Sequence, residues 1–448
     1  MKKTAILLAV MLLSATVSSF SQIQLNLKAT NRLTGDTVTM KSVIRSHGFL
    51  TVQTAPDPRS GRPVRIPYTE ITNYEIVTDN IESLWQMKIL KSDVYDNLLK
   101  NGYDFDRRYE MDEMMKEYLR KAEQDNSFYI DSYLETRLYG ILRKVYPVRH
   151  TDGRPGILSL RLLSDLTPDA WVGPDGTMII TTGMITALNN EEEMMALMAQ
   201  EVAHFALDHP LSNFMTAQAA GISPALGNLI RYTSEQERAS DRCAIDVLAT
   251  WDKSSSFLGS MLRNVLSCGE LTGNYYLGTA RGLFPDAAAR SEVFKTGILS
   301  VRSAEYDKLI APVISFNAYS AYNQSQYLLC RWLVERNIAS GMASPDEIVL
   351  LSQAMMHLSG SDAEDEKALE VVRSVAAGMP DPPPGAFRQE ALLLLKLGRR
   401  DEAEKALGKF GDALINEEKR YNSIPGDWSE MLDYIASEKE WLANMRRR

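Results

Sequence analysis

The stretch that decides the fold of this 448-residue chain is the pentad Gln200-Glu201-Val202-Ala203-His204. On an α-helix, residues four apart are separated by about 40° of rotation, so Gln200 and His204 lie side by side. Two histidines at this spacing, with a glutamate directly after the first, hold a zinc ion and activate a water molecule. Glutamine replaces the first histidine here, and its neutral carboxamide oxygen is a weaker zinc donor than an imidazole. The pentad therefore keeps the frame of a metal-binding helix but lacks one ligand.

The residues around the pentad carry the signals of a helix that begins near Asn189 and ends at about Asp208. An asparagine can cap its first turn, three glutamates follow the cap, and Pro210 stops the helix. On such a helix His209 would lie about 140° around from His204. We therefore expect His209 to face away from any metal that His204 binds.

Two later segments carry further polar candidates. A helix predicted from about Ser234 to Thr250 places Glu237 and Asp241 four residues apart, hence on one face. Farther along, Phe284-Pro285 precedes Arg290 in a loop that leads into another helix.

Several residues around these candidates follow one another in a characteristic order: Asp169-Ala170-Trp171, Pro174, Gly176, Thr182-Gly183, Glu193, Ala196, Asp208-His209 and Glu237-Arg238-Ala239-Ser240-Asp241. Together with the pentad, this succession resembles metallopeptidase family 48, which includes the CAAX prenyl protease. The resemblance covers roughly residues 130–295.

The resemblance implies a fold and a set of roles. It implies an α+β, zincin-like (gluzincin) peptidase domain that binds zinc. Glu201 would be the general base, and His204 and Glu237 would be metal ligands. Asp241 and Arg290 would not contact the metal but would orient those ligands.

Two residues depart from the family pattern at positions that take part in catalysis in the family. Gln200 stands where the first zinc histidine belongs, and Phe284 stands where many relatives have the histidine of an H-P-x-x-x-x-R segment. That second histidine is thought to stabilise the transition state. We therefore expect weak or absent zinc binding and impaired catalysis.

The hydrophobic pattern divides the chain into four parts. Residues 1–21 have the charged, apolar and small-residue layout of a secretory signal peptide. Residues 22–80 alternate as in a small antiparallel β unit, and residues 81–300 form the predicted peptidase-like domain. Residues 301–448 read as helical. Within them, residues 382–410 are predicted to form either a tetratricopeptide-like unit or a plain helical hairpin.

The composition and hydropathy of the chain limit the classes of partner that it is expected to bind. The net charge is −9 with both signs mixed, which disfavours nucleic-acid binding because phosphate neutralisation needs a basic face. No segment after the signal is apolar for long enough to cross a bilayer. The three cysteines, Cys243, Cys268 and Cys330, have no metal or redox spacing. We expect an exported protein, most simply a periplasmic one.

Three functions remain open at this point. The chain can be a catalytically impaired peptidase relative that binds unfolded or envelope polypeptides, with a peptide adding to an edge strand near Thr177 to Thr182. It can be an active zinc endopeptidase of envelope protein quality control that completes its metal site in another way. It can also be a helical scaffold whose C-terminal half binds a partner.

Overall fold

The computed structural model describes residues 22–46, 48–99, 103–147, 158–274, 277–279, 282–294 and 300–447. These residues form two compact units, one reaching to Val301 and the other starting at Arg302. The predicted signal peptide lies outside the described residues. The described fold mixes α and β structure, as the sequence predicted.

The first unit begins with an antiparallel sheet. Its strands are β1 (Gln22–Asn31), β2 (Thr37–Ser46), β3 (Phe49–Pro56), β4 (Pro63–Pro67) and β5 (Tyr74–Ile76), in the spatial order β4-β3-β2-β1-β5. Strand β1 shows why the sheet forms, because its residues alternate between exposed and buried from Gln22 to Ala29. A 3₁₀ helix, Tyr68–Asn73, joins β4 to β5.

Helices make up most of the remainder of the first unit. They are α1 (Ile81–Leu90), α2 (Val94–Leu98), α3 (Tyr103–Gln124), α4 (Ser132–Val145), α5 (Thr182–Ala187), α6 (Glu191–Ala206), α7 (His209–Ala219), α8 (Leu226–Leu229), α9 (Ser234–Thr250), α10 (Ser256–Thr272) and α11 (Ala287–Val293). Among the helices in the described ranges, none is both long and apolar enough to cross a bilayer.

A second, three-stranded sheet lies beside the pentad helix. Its strands are β6 (Ser159–Leu163), β7 (Ala170–Val172) and β8 (Thr177–Thr181). Strand β8 is central, parallel to β6 and antiparallel to β7. The prediction of an edge strand near Thr177 to Thr182 is therefore wrong, and β7 is the edge strand that packs against α6. Strand order depends on pairing between distant segments, which the hydrophobic pattern of one strand does not encode.

Helix α6 is the buried centre of the first unit. Every residue from Glu193 to Ala206 is buried, and the helix packs against α4, α9 and α10. Its methionines fill the core, as expected of flexible apolar side chains. The buried carboxylate of Glu193 accepts hydrogen bonds from Ser260 Oγ at 2.6 Å and Asn264 Nδ2 at 2.9 Å, which ties α6 to α10.

The second unit is built from helices that pack successively on their sequence neighbours. They are α12 (Ala304–Asn323), α13 (Tyr327–Ala339), α14 (Pro345–Leu358), α15 (Asp362–Gly378), α16 (Pro384–Lys396), α17 (Arg400–Ser423) and α18 (Ser429–Arg446). A continuous apolar core runs through its C-terminal part, with Leu369, Leu394 and Phe410 fully buried. Whether any pair of these helices is tetratricopeptide-like stays a prediction.

Candidate functional site

Local capping fixes the two helices that carry the predicted site. The Asn190 side chain accepts a hydrogen bond from Glu193 N and starts α6, as the sequence predicted. Thr233 and Gln236 form a reciprocal capping box that starts α9. Because α6 and α9 pack against each other, the pentad faces Glu237.

The first contact across this interface joins Gln200 to Glu237. Gln200 Nε2 donates a hydrogen bond to Glu237 Oε2 at 2.8 Å. The orientation of the carboxamide follows from the carboxylate, because only its N–H end can donate to an anionic oxygen. Gln200 Oε1 therefore points elsewhere, and it is buried without a hydrogen-bond partner among the described residues.

Arg290 is the second group on Glu237. Its Nη1 lies 2.9 Å from Glu237 Oε2, and its Nε and Nη2 donate to the two carboxylate oxygens of Asp241 at 2.8 and 2.7 Å. Burial would raise the pKa of Glu237, but Arg290 and smaller contributions from His204 and Gln200 outweigh it and lower that pKa. Asp241 thus positions Arg290 by two hydrogen bonds, and Arg290 forms an ion pair with Glu237, the carboxylate that was expected to bind metal.

His204 is surrounded by aromatic rings, and one of them belongs to His209. Helix α6 ends at Ala206, Asp208 adopts a left-handed conformation with φ of 61°, and His209 starts a new helix. The Nδ1 atoms of His204 and His209 are 2.9 Å apart. The helical angle did not predict this contact, because it assumed one continuous helix. The contact lies on the Nδ1 side of His204, so the expectation that His209 does not face a metal bound by His204 stays a prediction.

The contact with His209 uses the Nδ1 side of His204 and leaves the other ring nitrogen toward Glu237. His204 Nε2 is 3.8 Å from Glu237 Oε2, too far for a hydrogen bond, and it is buried without a hydrogen-bond partner in the described ranges. Arg108 pairs with Asp208 through both carboxylate oxygens, which holds the turn that places His209.

Tyr232 belongs to the site although sequence reasoning missed it. Its ring stacks on His204 with centroids 3.6 Å apart and planes 18° apart. Its hydroxyl is buried and has no hydrogen-bond partner among the residues the structure describes. The only local signal was its place directly before the capping residue Thr233, which is not a functional signal.

A small cleft opens beside these side chains. It has a volume of about 140 Å³, and it is lined by Asp169, Ala170, Trp171, Glu201, Gly227, Ile230, Arg231, Tyr232, Glu237 and Leu283. A buried cavity of about 150 Å³ accommodates a benzene molecule, so the cleft admits one side-chain-sized group. Edge strand β7 thus runs along the cleft next to Glu201.

Burial and mutual repulsion set the ionisation of the cleft carboxylates. Burial, followed by repulsion from Glu237 and Asp169, raises the pKa of Glu201 well above its ordinary value. Burial also raises the pKa of Asp169 to about 7, although a backbone hydrogen bond from Ala170 opposes the shift. A raised carboxylate pKa is a property expected of a general base.

Phe284 is not among the residues that line the cleft. It is buried, and its backbone N–H donates to Leu277 O at 2.9 Å. Its neighbour Leu283 lines the cleft. The neighbouring carbonyl of Pro285 accepts a hydrogen bond from Arg290 Nη1 at 3.2 Å, so this loop supports the arginine.

The side chains present do not fit a catalytic zinc ion. Glu237 Oε2 already accepts a hydrogen bond from Gln200 Nε2 and forms an ion pair with Arg290 Nη1 at 2.9 Å, and both groups compete with a cation for that oxygen. His204 supplies the only imidazole nitrogen directed toward Glu237 in the described site. Within the described ranges, no group of three or more His, Cys, Asp or Glu side chains is placed to hold a metal. The arrangement is an internally hydrogen-bonded polar cluster.

Comparison with known proteins supports the resemblance drawn from the sequence. Residues 154–268 match the model of peptidase family M48. The matched segment includes Gln200, Glu201, His204, Glu237 and Asp241. No curated protein matches the chain. The chain therefore carries a domain of peptidase family M48.

Proposed function

We propose that this protein is an exported, zincin-like member of family M48 that has lost most of its hydrolytic capacity and acts by binding polypeptide segments. The main support is that Glu237 Oε2 accepts a hydrogen bond from Gln200 and forms an ion pair with Arg290. In a hydrolytic site, that oxygen and an imidazole at position 200 would hold the metal that activates water. An amide N–H and a guanidinium instead satisfy the carboxylate.

The expected loss of metal affinity is large. Changes to groups that merely support a metal ligand cost about 10 to 100-fold in affinity or activity. Replacing a direct imidazole ligand by a carboxamide should cost more. Glu201 is then left without an activated water to deprotonate.

Edge strand β7 supports the binding half of the proposal. In an antiparallel pair, alternate residues direct their backbone N–H and C=O groups away from the partner strand. Thr181 N donates to Asp169 O at 3.0 Å, and Gly173 N donates to Thr177 O at 2.8 Å. Ala170 and Val172 therefore direct theirs away from β8, on the side where the described residues contain no further strand. Both residues are buried in the free protein, so a peptide must displace the groups that cover this edge.

An extended peptide can pair with this edge and place one side chain in the cleft. Main-chain hydrogen bonds supply affinity in this mode, and side-chain pockets supply selectivity. Recognition of this kind does not require a metal ion. It agrees with a site whose scaffold persists while its ligand set has changed.

Metal analysis tests the loss of zinc binding. We expect the purified protein to hold well under one equivalent of zinc after dialysis, and the Gln200→His, Phe284→His double variant to hold close to one. Gln218→His, on the exposed face of α7, controls for adventitious binding to an added histidine. One tightly held zinc in the unmodified protein, with chelator-sensitive cleavage of an unfolded substrate, would refute impairment.

Peptide binding tests the role of the edge strand. Ala170→Pro removes an N–H that points away from β8 and that donates to the Asp169 carboxylate in the free protein, and proline is tolerated at such edge positions. We expect the variant to bind an unfolded, fluorescently labelled polypeptide at least about fivefold more weakly, because one main-chain hydrogen bond is worth about 1 kcal/mol. Unchanged affinity in a variant that folds normally would exclude pairing at β7.

One observation favours an active endopeptidase as the second candidate. Glu201 and Glu237 line one cleft, His204 lies next to Glu237, and Glu201 has the raised pKa of a general base. This alternative requires chelator-sensitive cleavage that Glu201→Gln abolishes. Absence of cleavage with excess zinc supplied would exclude it.

A further inference from the structure

Three buried polar atoms at the site share one property. Gln200 Oε1, His204 Nε2 and Tyr232 Oη have no hydrogen-bond partner among the described residues. All three side chains are at least nine-tenths buried, with Tyr232 the most exposed at 8%. Buried polar atoms in folded proteins almost always have a partner. Tyr232 lines the cleft, and Gln200 and His204 lie next to its lining residue Glu237, which indicates that a bound group completes the site.

The charged residues around the cleft indicate whether the bound group is an anion or a cation. Asp169, Glu201 and Glu237 line it, and Arg231 is the only cationic side chain among the lining residues that the structure describes. Arg290 is not among the lining residues, and it contacts Asp241 and Glu237. Three carboxylates favour a cationic ligand over an anionic one, because a cation stabilises the ionised form of each carboxylate.

The hydrogen-bond acceptors at the site indicate which kind of cation binds. Gln200 Oε1 can only accept, the Glu201 carboxylate accepts when ionised, and the Tyr232 hydroxyl oxygen can also accept. A primary ammonium has three N–H donors and no acceptor, so it matches three such oxygens. Zinc does not fit the donor set, and calcium requires six to eight oxygen ligands. The cleft volume of about 140 Å³ suits a single side chain or chain end.

We propose that the cleft binds the primary ammonium group of a polypeptide, with Glu201 as the counter-ion and Gln200 Oε1 and Tyr232 Oη as neutral acceptors. The proposal rests on the proposed function, since it names the chemical feature that the bound polypeptide presents. The ammonium belongs either to an amino terminus or to a lysine side chain. In this arrangement, the positive charge of the ligand takes the place of the metal charge.

The decisive experiment compares four forms of one unfolded peptide that contains a single lysine. The forms are the unmodified peptide, the N-acetylated peptide, the peptide with norleucine at the lysine, and the peptide with both changes. Binding is measured by fluorescence anisotropy with EDTA present. We expect the doubly blocked form to bind about 30-fold more weakly than the unmodified form, because a buried charge pair is lost.

The single changes identify the source of the ammonium. A loss on N-acetylation alone assigns it to the amino terminus, and a loss with norleucine alone assigns it to lysine. Four forms that bind within twofold of one another overturn the ammonium proposal while polypeptide binding stands. Failure of every form to bind overturns both proposals.

Variants then locate the interaction. We expect Glu201→Gln to remove the difference between the free and doubly blocked peptides, and Glu235→Gln, an exposed carboxylate on the first turn of α9, to preserve it. If Glu201→Gln does not fold by circular dichroism, Tyr232→Phe replaces it, with an expected reduction of the difference to about a third. A full difference retained in the folded variant places the ammonium elsewhere and overturns the proposal.

Zinc competition gives an independent readout. Without EDTA, an equivalent of zinc chloride should leave peptide binding unchanged, because the donor set favours ammonium. Displacement of the peptide by submicromolar zinc would show that the cleft is a metal site and would overturn the proposal.

Discussion

Replacing Arg290 by methionine should destabilise the first unit more than any surface change. The guanidinium is 2% exposed and makes four polar contacts, two to Asp241, one to Glu237 and one to Pro285 O. Methionine has similar length and no charge, so the variant removes the contacts without opening a large cavity. Two buried carboxylates then lose their shared counter-ion.

The size of the effect follows from those contacts. Removing one partner of a buried ion pair costs about 3 to 5 kcal/mol, because the remaining charge is left buried without compensation. Whole domains unfold with only about 5 to 15 kcal/mol. The penalty should shrink between pH 8 and pH 5, since carboxylates without a counter-ion can take up protons on burial.

Hydrogen exchange of the backbone amides, followed by mass spectrometry, measures this effect locally. Peptides from α6 and α9 report on the first unit alone, which matters because a two-unit chain need not unfold in one step. In a double-mutant cycle, Asp241→Asn and Arg290→Met should show a coupling of about 1 to 3 kcal/mol. Arg120→Met, which removes a solvent-exposed pair with Glu117, is the control and should leave protection unchanged.

Two results would refute this reasoning. A loss below about 1 kcal/mol would mean that Arg290 is not the compensating charge. Additive effects of the two single variants would mean that Arg290 and Asp241 do not act as a pair.

The remaining predictions concern ionisation and packing. The folded state holds the proton of Asp169 up to a pKa of about 7, against an ordinary value of 3.8, so this group favours folding below pH 4 and loses that contribution as the pH rises to 7. Asparagine cannot ionise, so the unfolding free energy of Asp169→Asn relative to the unmodified protein should rise by about 2 kcal/mol between pH 4 and pH 8, after allowance for partial solvent exposure. Equal melting-temperature differences between the two proteins at both pH values would contradict this. Gly183→Ala should destabilise by about 3 kcal/mol, because its Cβ would lie 2.2 Å from the backbone oxygen of Leu166, whereas Gly140→Ala, with free space around it in α4, should stabilise by about 0.5 to 1 kcal/mol in the same thermal melts. Glu193→Ala should clearly lower the unfolding temperature of the first unit, because Ser260 Oγ and Asn264 Nδ2 lose their hydrogen-bond acceptor. An unchanged temperature would show that water replaces the carboxylate.

Local sequence signals predicted the helices of the site well. Asn190, the glutamates after it and the four-residue spacing of Gln200 and His204 are properties of one segment, and the structure places them as expected. The same holds for Glu237 and Asp241 on α9. Helix caps and helical spacing act over a few residues, so sequence contains them directly.

The sequence by itself determined the resemblance of residues 154–268 to peptidase family M48, the mixed α and β fold, the glutamine at position 200 and the pairing of side chains along each helix. Only the tertiary structure decided that β7 is the edge strand, that His209 turns back onto His204, and that Tyr232 joins the cleft. It also decided that Arg290 holds the presumed ligand Glu237. The physical reason is that strand order, loop conformation and buried charge compensation each depend on groups far apart in the chain, whose meeting no local pattern specifies.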